Sequence, residues 1–236
     1  MSGDDAYGTR YVAFLDILGF SNLVQRADEP EWRSALIDVV MCLRGTLANN
    51  PHIDFRATQF SDCIVVSAPA GGTGIRQIFQ GVTMLATNLM QRAILLRGGI
   101  VKGNMLHTDE VLLGPALVAA HNMDASGGPP RIVLSDEVVE GAREAEYGEG
   151  LTPYIRIDPY DRSPILNTLA EFEHYDHVPY VGRAVLDEPS RAIASLIASQ
   201  CNMPHPRAVL AKWLWLEQYW NSAVSKKGIL PKTTEV

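Results

Sequence analysis

Two acidic residues stand where ordinary folding logic does not want them. Asp16 closes the apolar run Tyr11-Val-Ala-Phe-Leu15, and Asp62 opens the run that continues through Cys63-Ile-Val-Val66. Ionised carboxylates at the ends of neighbouring buried strands repel each other, and burial raises the cost. A divalent cation between them removes both penalties, and hard carboxylate oxygens suit Mg²⁺ or Mn²⁺. Gly19 follows in the stretch Asp16-Ile-Leu-Gly-Phe20. A glycine turn there leaves backbone N–H groups facing the same space, available to phosphate oxygens. Two carboxylates beside such a turn are the equipment of two-metal phosphoryl or nucleotidyl transfer. Each acid also has a plainer use: Asp16 as a helix cap, Asp62 as a turn residue.

The elements that must hold these residues follow from periodicity. A strand is expected over 11–15, then a turn at Gly19 and a helix capped by Ser21. Pro30 opens a second helix with Leu36, Val39, Val40, Leu43 and Leu47 at helical spacing, ended by Asn49-Asn50-Pro51. Strands over 53–58 and 62–67 flank a hairpin at Gln59-Phe-Ser61. A loop over 70–74 precedes a helix whose stripe is Ile75, Ile78, Phe79, Val82, Leu85, Leu89 and Met90. A strand over 94–101 carries Gly98-Gly99, which marks close approach of another backbone or a ligand. A loop from His107 to Glu110, a helix over 114–123, a strand over 131–134, a helix capped by Ser135 and a strand over 154–157 complete this part. Beyond about Ser163 no strand is expected, only helices over 192–199 and 206–224. In the last, Val209, Trp213, Leu216, Trp220 and Val224 form one stripe, read as facing the core. The pattern is α+β, a mostly antiparallel sheet with its helices on one face. Two units are expected, 1–162 and a helical extension over 163–236.

Composition narrows the chemistry. The chain has 236 residues, 47% of them apolar, and a net charge of −7, so it has material for a core and lacks the basic surface a nucleic-acid coat protein needs. Cys42, Cys63 and Cys201 are scattered and odd in number, which argues against a disulfide framework and for a reducing compartment. Residues 1–11 carry Asp4 and Asp5 and no apolar stretch, so no secretory signal is expected, and no run approaches the length of a membrane span. A cytoplasmic location is the expectation.

The wording around the two acids carries a resemblance. Phe14-Leu-Asp16-Ile-Leu-Gly19-Phe20-Ser21 resembles the first metal motif of class III nucleotide cyclases, F-x-D-I-x-G-F-[ST]. Phe60-Ser61-Asp62 stands where that family has its second metal motif, at a similar spacing. Arg97-Gly-Gly-Ile100 with Gly103 is similar to its R-x-G-I-x-x-G strand, and Gly114-Pro-Ala-Leu-Val-Ala-Ala120 stands where it has G-x-x-V-N-x-A. The resemblance covers about residues 10–160. Together with Pro130-Arg-Ile-Val-Leu134 and Lys212-Trp-Leu-Trp-Leu216, these motifs look most like the pyrimidine cyclases of Pycsar antiphage systems. Such enzymes make cyclic UMP or cyclic CMP, which a separate effector senses.

The resemblance implies a class III cyclase fold with a ferredoxin-like core, and a homodimer with sites at its interface. It implies two Mn²⁺ or Mg²⁺ ions on Asp16 and Asp62, joined by the Ile17 carbonyl, and a triphosphate cradled by the backbone of Leu18, Gly19 and Phe20. The base-reading positions fall at Thr58 and near Val111, the substrate being UTP or CTP. The family's transition-state Asn and Arg fall at Val118 and Asn122, so this is not an ordinary adenylate or guanylate cyclase. Arg97, Arg56 and Lys102 are the candidates for the missing cation, with Arg97 preferred. A purine cyclase, and a nucleotide-binding domain without turnover, are the alternatives. Gly71-Gly-Thr-Gly74 lacks the Gly-Lys-[Ser/Thr] of a P-loop and reads as a loop. His174 and His177 read as a solvated connection, His107 and His121 as structural, and Cys63 as strand packing.

Overall fold

A strand buried on both faces reads as a near-continuous apolar run. β1 (Tyr7–Leu18) is that strand, longer at both ends than its apolar run. The computed structural model describes residues 7–46, 54–123, 128–145, 148–173, 183–224 and 232–235. β1 lies between β3 (Cys63–Pro69) and β4 (Leu95–His107), antiparallel to both. β2 (Arg56–Phe60) pairs with β3 at the sheet edge. The connections from β1 to β2 include α1 (Phe20–Gln25) and α2 (Pro30–Thr46), and α3 (Gly72–Met90) crosses from β3 to β4. This is a βαββαβ unit, the ferredoxin-like arrangement.

β5 (Leu112–Leu113) folds back on the end of β4, followed by α4 (Pro115–Asn122). The sheet then extends past β4. β6 (Ile132–Leu134) joins β4 in parallel, and α5 (Asp136–Glu144) and α6 (Gly148–Leu151) follow it. β7 (Ile155–Ile157) and β8 (Pro164–Leu166) close the edge, with β8 between β6 and β7. The chain ends in α7 (Ala170–Glu173), α8 (Arg183–Asn202) and α9 (Arg207–Val224).

Strand alternation sorts the core. Tyr11, Ala13, Leu15 and Ile17 face the main cluster, which takes the stripe of α3 together with Val39 of α2 and Val138 of α5. Ile75, Ile78, Phe79, Val82, Leu85 and Leu89 are each fully buried, at about 1.5–3 kcal/mol of burial apiece. The other face meets shorter or later helices. Ala116 and Ala120 of α4 pack on Val12, Val65 and Val101. Trp213, Leu216 and Trp220 of α9 pack on Leu95, Val133 and Ile165. The helical stripe of the last helix is therefore spent inside the chain at these three positions. Val209 of the same stripe stays exposed.

Several expectations shift. Asp16 lies inside β1, with Ile17 and Leu18 still paired to Leu96 and Leu95. The hairpin turn is Ser61-Asp62, because Phe60 pairs with Cys63; Asp62 is a turn residue and not the first of a strand. Gly19, not Ser21, stands at the N-cap of α1. Gly72–Gly74 belongs to α3 and not to a loop. His107 is the last residue of β4. A strand, β8, exists beyond residue 163, and the sheet runs through the expected boundary at 162 and 163. Three residues are too short a run to show a period. The expected helix end at 49–51 and the histidines at 174 and 177 lie outside the described residues.

Candidate functional site

The strand registers put the side chains of one sheet face into rows. Phe60, Cys63, Asp16 and Arg97 share a row across β2, β3, β1 and β4. Thr58, Val65, Phe14 and Gly99 form the next, and Arg56, Ser67, Val12 and Val101 the third. Side chains directly opposite each other on neighbouring antiparallel strands have Cβ atoms about 4.5–5.5 Å apart. Asp16 is thus flanked by Cys63 on one side and Arg97 on the other.

Asp62 reaches the same place through the hairpin. Ser61 adopts a left-handed conformation, φ 56°, and the Asp62 carbonyl accepts the Ile17 N–H at 2.8 Å. The Cys63 thiol reports both acids. Its pKa is pushed up to about 11 by burial, then by the charges of Asp62 and Asp16, and it lies 3.7 Å from Asp62 Oδ1. Cys63 is therefore a protonated, unreactive thiol between two carboxylates. Among the described residues the cation paired here is Arg97, whose Nη2 donates to Asp16 Oδ2 at 2.8 Å, with both side chains about a quarter exposed. Lys102 has the opposite strand parity and lies 5.8 Å from the Tyr11 ring, on the other face. Arg56 is engaged by Asp54 at 2.8 Å and Asp109 at 3.1 Å.

After Leu18 the chain turns at Gly19, whose φ of 83° favours glycine. The Gly19 carbonyl accepts the N–H groups of Asn22 and Leu23, no side chain caps the helix, and the Phe20 ring is buried in the main core. Gly98-Gly99 marks a close approach. A Cβ on Gly98 would meet the Phe14 carbonyl oxygen at 2.0 Å, and one on Gly99 would meet Met123 Cβ at 2.4 Å. This lets β4 and α4 press against β1, and His121 of α4 sits edge-on to Phe14 with ring centroids 4.9 Å apart. Phe60 lies 6.3 Å from Phe14 on the other side. Val118, Asn122 and Val111 are exposed.

The opposite end of this face holds a polar network. The far end of β4 bends over the sheet, since His107 bonds Thr58 Oγ1 at 2.9 Å through Nε2 and Ser67 Oγ at 2.7 Å through Nδ1. Asp109, two residues on, accepts from Arg56. Arg10 donates to Ser67 at 2.9 Å and pairs with Asp54. Thr58 and Val111, far apart in the chain, are drawn to one corner this way: the Val111 carbonyl accepts the Thr108 N–H one residue past His107. His107 is 2% exposed, and burial, then Arg10 and Arg56, push its pKa down to about 4. The sequence reading missed this network. Its signal is the alternation Asp54-x-Arg56-x-Thr58 in an edge strand and a buried-parity Arg10 ahead of an apolar run.

Hard carboxylate oxygens without a third acid suit an ion that completes its shell from a phosphate and water. Among the described residues no cluster of three or more His, Cys, Asp or Glu could hold a metal by itself. No described helix is long and apolar enough to cross a membrane.

No family model matches the chain, and no curated protein does. Among solved structures, an adenylyl cyclase from P. aeruginosa is 14% identical over 67% of this chain and 92% of that one, with a TM-score of 0.47. A monomeric guanylyl cyclase domain from the aquatic fungus Blastocladiella emersonii is 13% identical over 67% and 94%, with a TM-score of 0.46. An adenylate/guanylate cyclase/hydrolase from Silicibacter pomeroyi is 15% identical over 68% and 94%, also at 0.46. At this level of likeness the functional reading rests on the residues of this chain.

Proposed function

We propose that the chain is a metal-dependent nucleotide cyclase, converting a pyrimidine ribonucleoside triphosphate, UTP ahead of CTP, to the 3′,5′-cyclic monophosphate and pyrophosphate. One observation carries the reading: Asp16 and Asp62 both adjoin Cys63 and are partly open to solvent, beside the turn at Gly19, with Arg97 paired to Asp16 and a net negative charge left over. The donor set fits Mg²⁺ or Mn²⁺, which bind proteins through one or two carboxylates plus substrate phosphates. Asp16, Asp62 and the Ile17 carbonyl would hold two such ions, which would supply activation of the ribose 3′-hydroxyl and neutralisation of the phosphates. The chain's own residues do the rest. The backbone over Leu18–Phe20 receives the triphosphate, and Arg97 is the cation that shifts from Asp16 toward the charge developing on the phosphate oxygens. Thr58 and Val111 line the base.

In this reading the catalytic unit is the sheet with its first helices and the C-terminal helices are its extension. It acts as a homodimer in the cytoplasm, the carboxylate end of one protomer working with the Thr58 end of its partner, and a separate effector senses the product. Exposed Phe60, Val111, Leu113 and Val118 are apolar area available for that contact. Incubation with Mn²⁺ and each of the four ribonucleoside triphosphates, with products identified by mass spectrometry, tests the reading. Cyclic UMP or cyclic CMP is expected, and no cyclic product from any of them would overturn it. The Arg97–Asp16 pair, with Val118 and Asn122 at the family's catalytic positions, favours a second reading: a domain that binds nucleotide without turnover. Thermal stabilisation by nucleotide without product would select it.

A further inference from the structure

The hydrogen-bond chain at the Thr58 end has a direction, and its first member imposes it. Arg10 is 4% exposed, and a guanidinium donates but never accepts. Its Nε gives a hydrogen to Ser67 Oγ. Ser67 is fully buried, and its hydroxyl has one other partner among the described residues, His107 Nδ1. A buried hydroxyl hydrogen left without an acceptor is costly. Arginine cannot take it, so Ser67 donates to Nδ1. The neutral imidazole then carries its hydrogen on Nε2, which donates to Thr58 Oγ1. Burial and the two arginines keep the ring neutral around pH 7. The Thr58 oxygen is thereby an acceptor toward the protein, and its own hydrogen finds no acceptor among the described residues.

We infer that Arg10, Ser67 and His107 are positioning residues that occupy one acceptor site of the Thr58 oxygen and leave its hydrogen to the ligand, so that the site favours a nucleotide whose base presents a carbonyl oxygen there. Where Thr58 faces the 4-position of a pyrimidine this is uracil, which carries a keto group where cytosine carries an amine; at the 6-position of a purine it is guanine and not adenine. An amine at that edge would have to share an oxygen that already accepts from His107 and would leave the Thr58 hydrogen without a partner on the base, and a site built to hydrogen-bond one group disfavours the analogue that offers the other. The inference rests on Thr58 lining the base pocket of the proposed cyclase.

Two measurements on the full chain separate this inference from that reading. ¹⁵N NMR of labelled histidine, with His107 assigned by its loss in His107→Gln, reports the tautomer without any need for turnover. Protonation at Nε2 is expected, and protonation at Nδ1 would overturn the relay. Next, kcat and KM are compared for UTP and CTP with Mn²⁺. The wild type should favour UTP in kcat/KM by about tenfold or more. Ser67→Ala frees the ring to change tautomer, and the preference should fall toward one, through KM more than kcat. A folded Ser67→Ala protein with an unchanged ratio, or a wild type that favours CTP, sinks the inference. If Ser67→Ala fails to fold, Thr58→Val carries the comparison, with the same loss of preference expected. If no nucleotide is cyclised, the cyclase reading fails alone, and the relay is judged by the tautomer and by whether UTP stabilises the protein against heat more than CTP does.

Discussion

The two ends of one sheet face are built on opposite plans. At one end Asp16 pairs with Arg97, both Asp16 and Asp62 sit partly open to water, and the turn that follows Asp16 has no side-chain cap. At the other, Arg10, Asp54, Arg56, Thr58, Ser67, His107 and Asp109 form a network in which each member has a partner. Its buried members, Arg10, Ser67 and His107, hold one arrangement, because the alternatives leave a buried group unpaired. A charge-deficient cluster near solvent changes partners at little cost. The first plan suits a place where ions and phosphates arrive and leave, the second a template that recognises shape and hydrogen-bond pattern.

The comparison breaks most visibly at Asp62. Asp62→Ala should reduce cyclic product by about a thousandfold or more, since electrostatic groups at the reacting centre carry effects of this order. Its melting temperature should stay near that of the wild type, measured by circular dichroism, because the side chain lies in a turn. Equal loss of fold and activity would make this end structural as well.

The network end should answer to pH. His107 has its folded-state pKa lowered from 6.5 to about 4, so the unfolded chain binds the proton more readily. Its contribution is fully present above about pH 6.5 and is lost as pH falls toward 4, by up to about 3 kcal/mol. Urea unfolding at pH 7 and pH 5 should show this slope, and His107→Gln should remove it. A slope that survives the substitution would assign it to other groups.

Arg97 sharpens the contrast further. Arg97→Ala should lower kcat by about a hundredfold, with a smaller change in KM, if the guanidinium acts on charge that develops in the transition state. A change confined to KM would make it a ground-state phosphate contact. Smallest is the hairpin. Ser61 holds φ 56° at a position glycine tolerates better, so Ser61→Gly should change stability by no more than about 1 kcal/mol, in the stabilising direction, by denaturant titration.

Much of the βαββαβ unit was legible because long elements state their period. The α3 stripe from Ile75 to Met90 is buried as its spacing implies, and Pro30 opens α2. Short or irregular features were not. β8 is three residues long, and the hairpin register was misread because Ser61 can occupy a left-handed turn that its residue type does not advertise. His107 looked like a loop residue since Thr108-Asp-Glu110 follows it, yet it ends a strand whose parity, with Met105 and Gly103, turns it onto the face of the site.

The amino-acid order alone determined which residues are available: one acid closing an apolar run and one opening another, a glycine turn after the first, and no third ligand nearby. Local spacing governs such things, since strand alternation and turn chemistry act over a few residues. Only the tertiary structure decided who meets whom. Arg97 opposite Asp16, Ser67 beneath His107 and Asp109 beside Arg56 are contacts between segments distant in the chain. Their register comes from burying one face of each strand against shared helices, a condition that no short window of the chain contains.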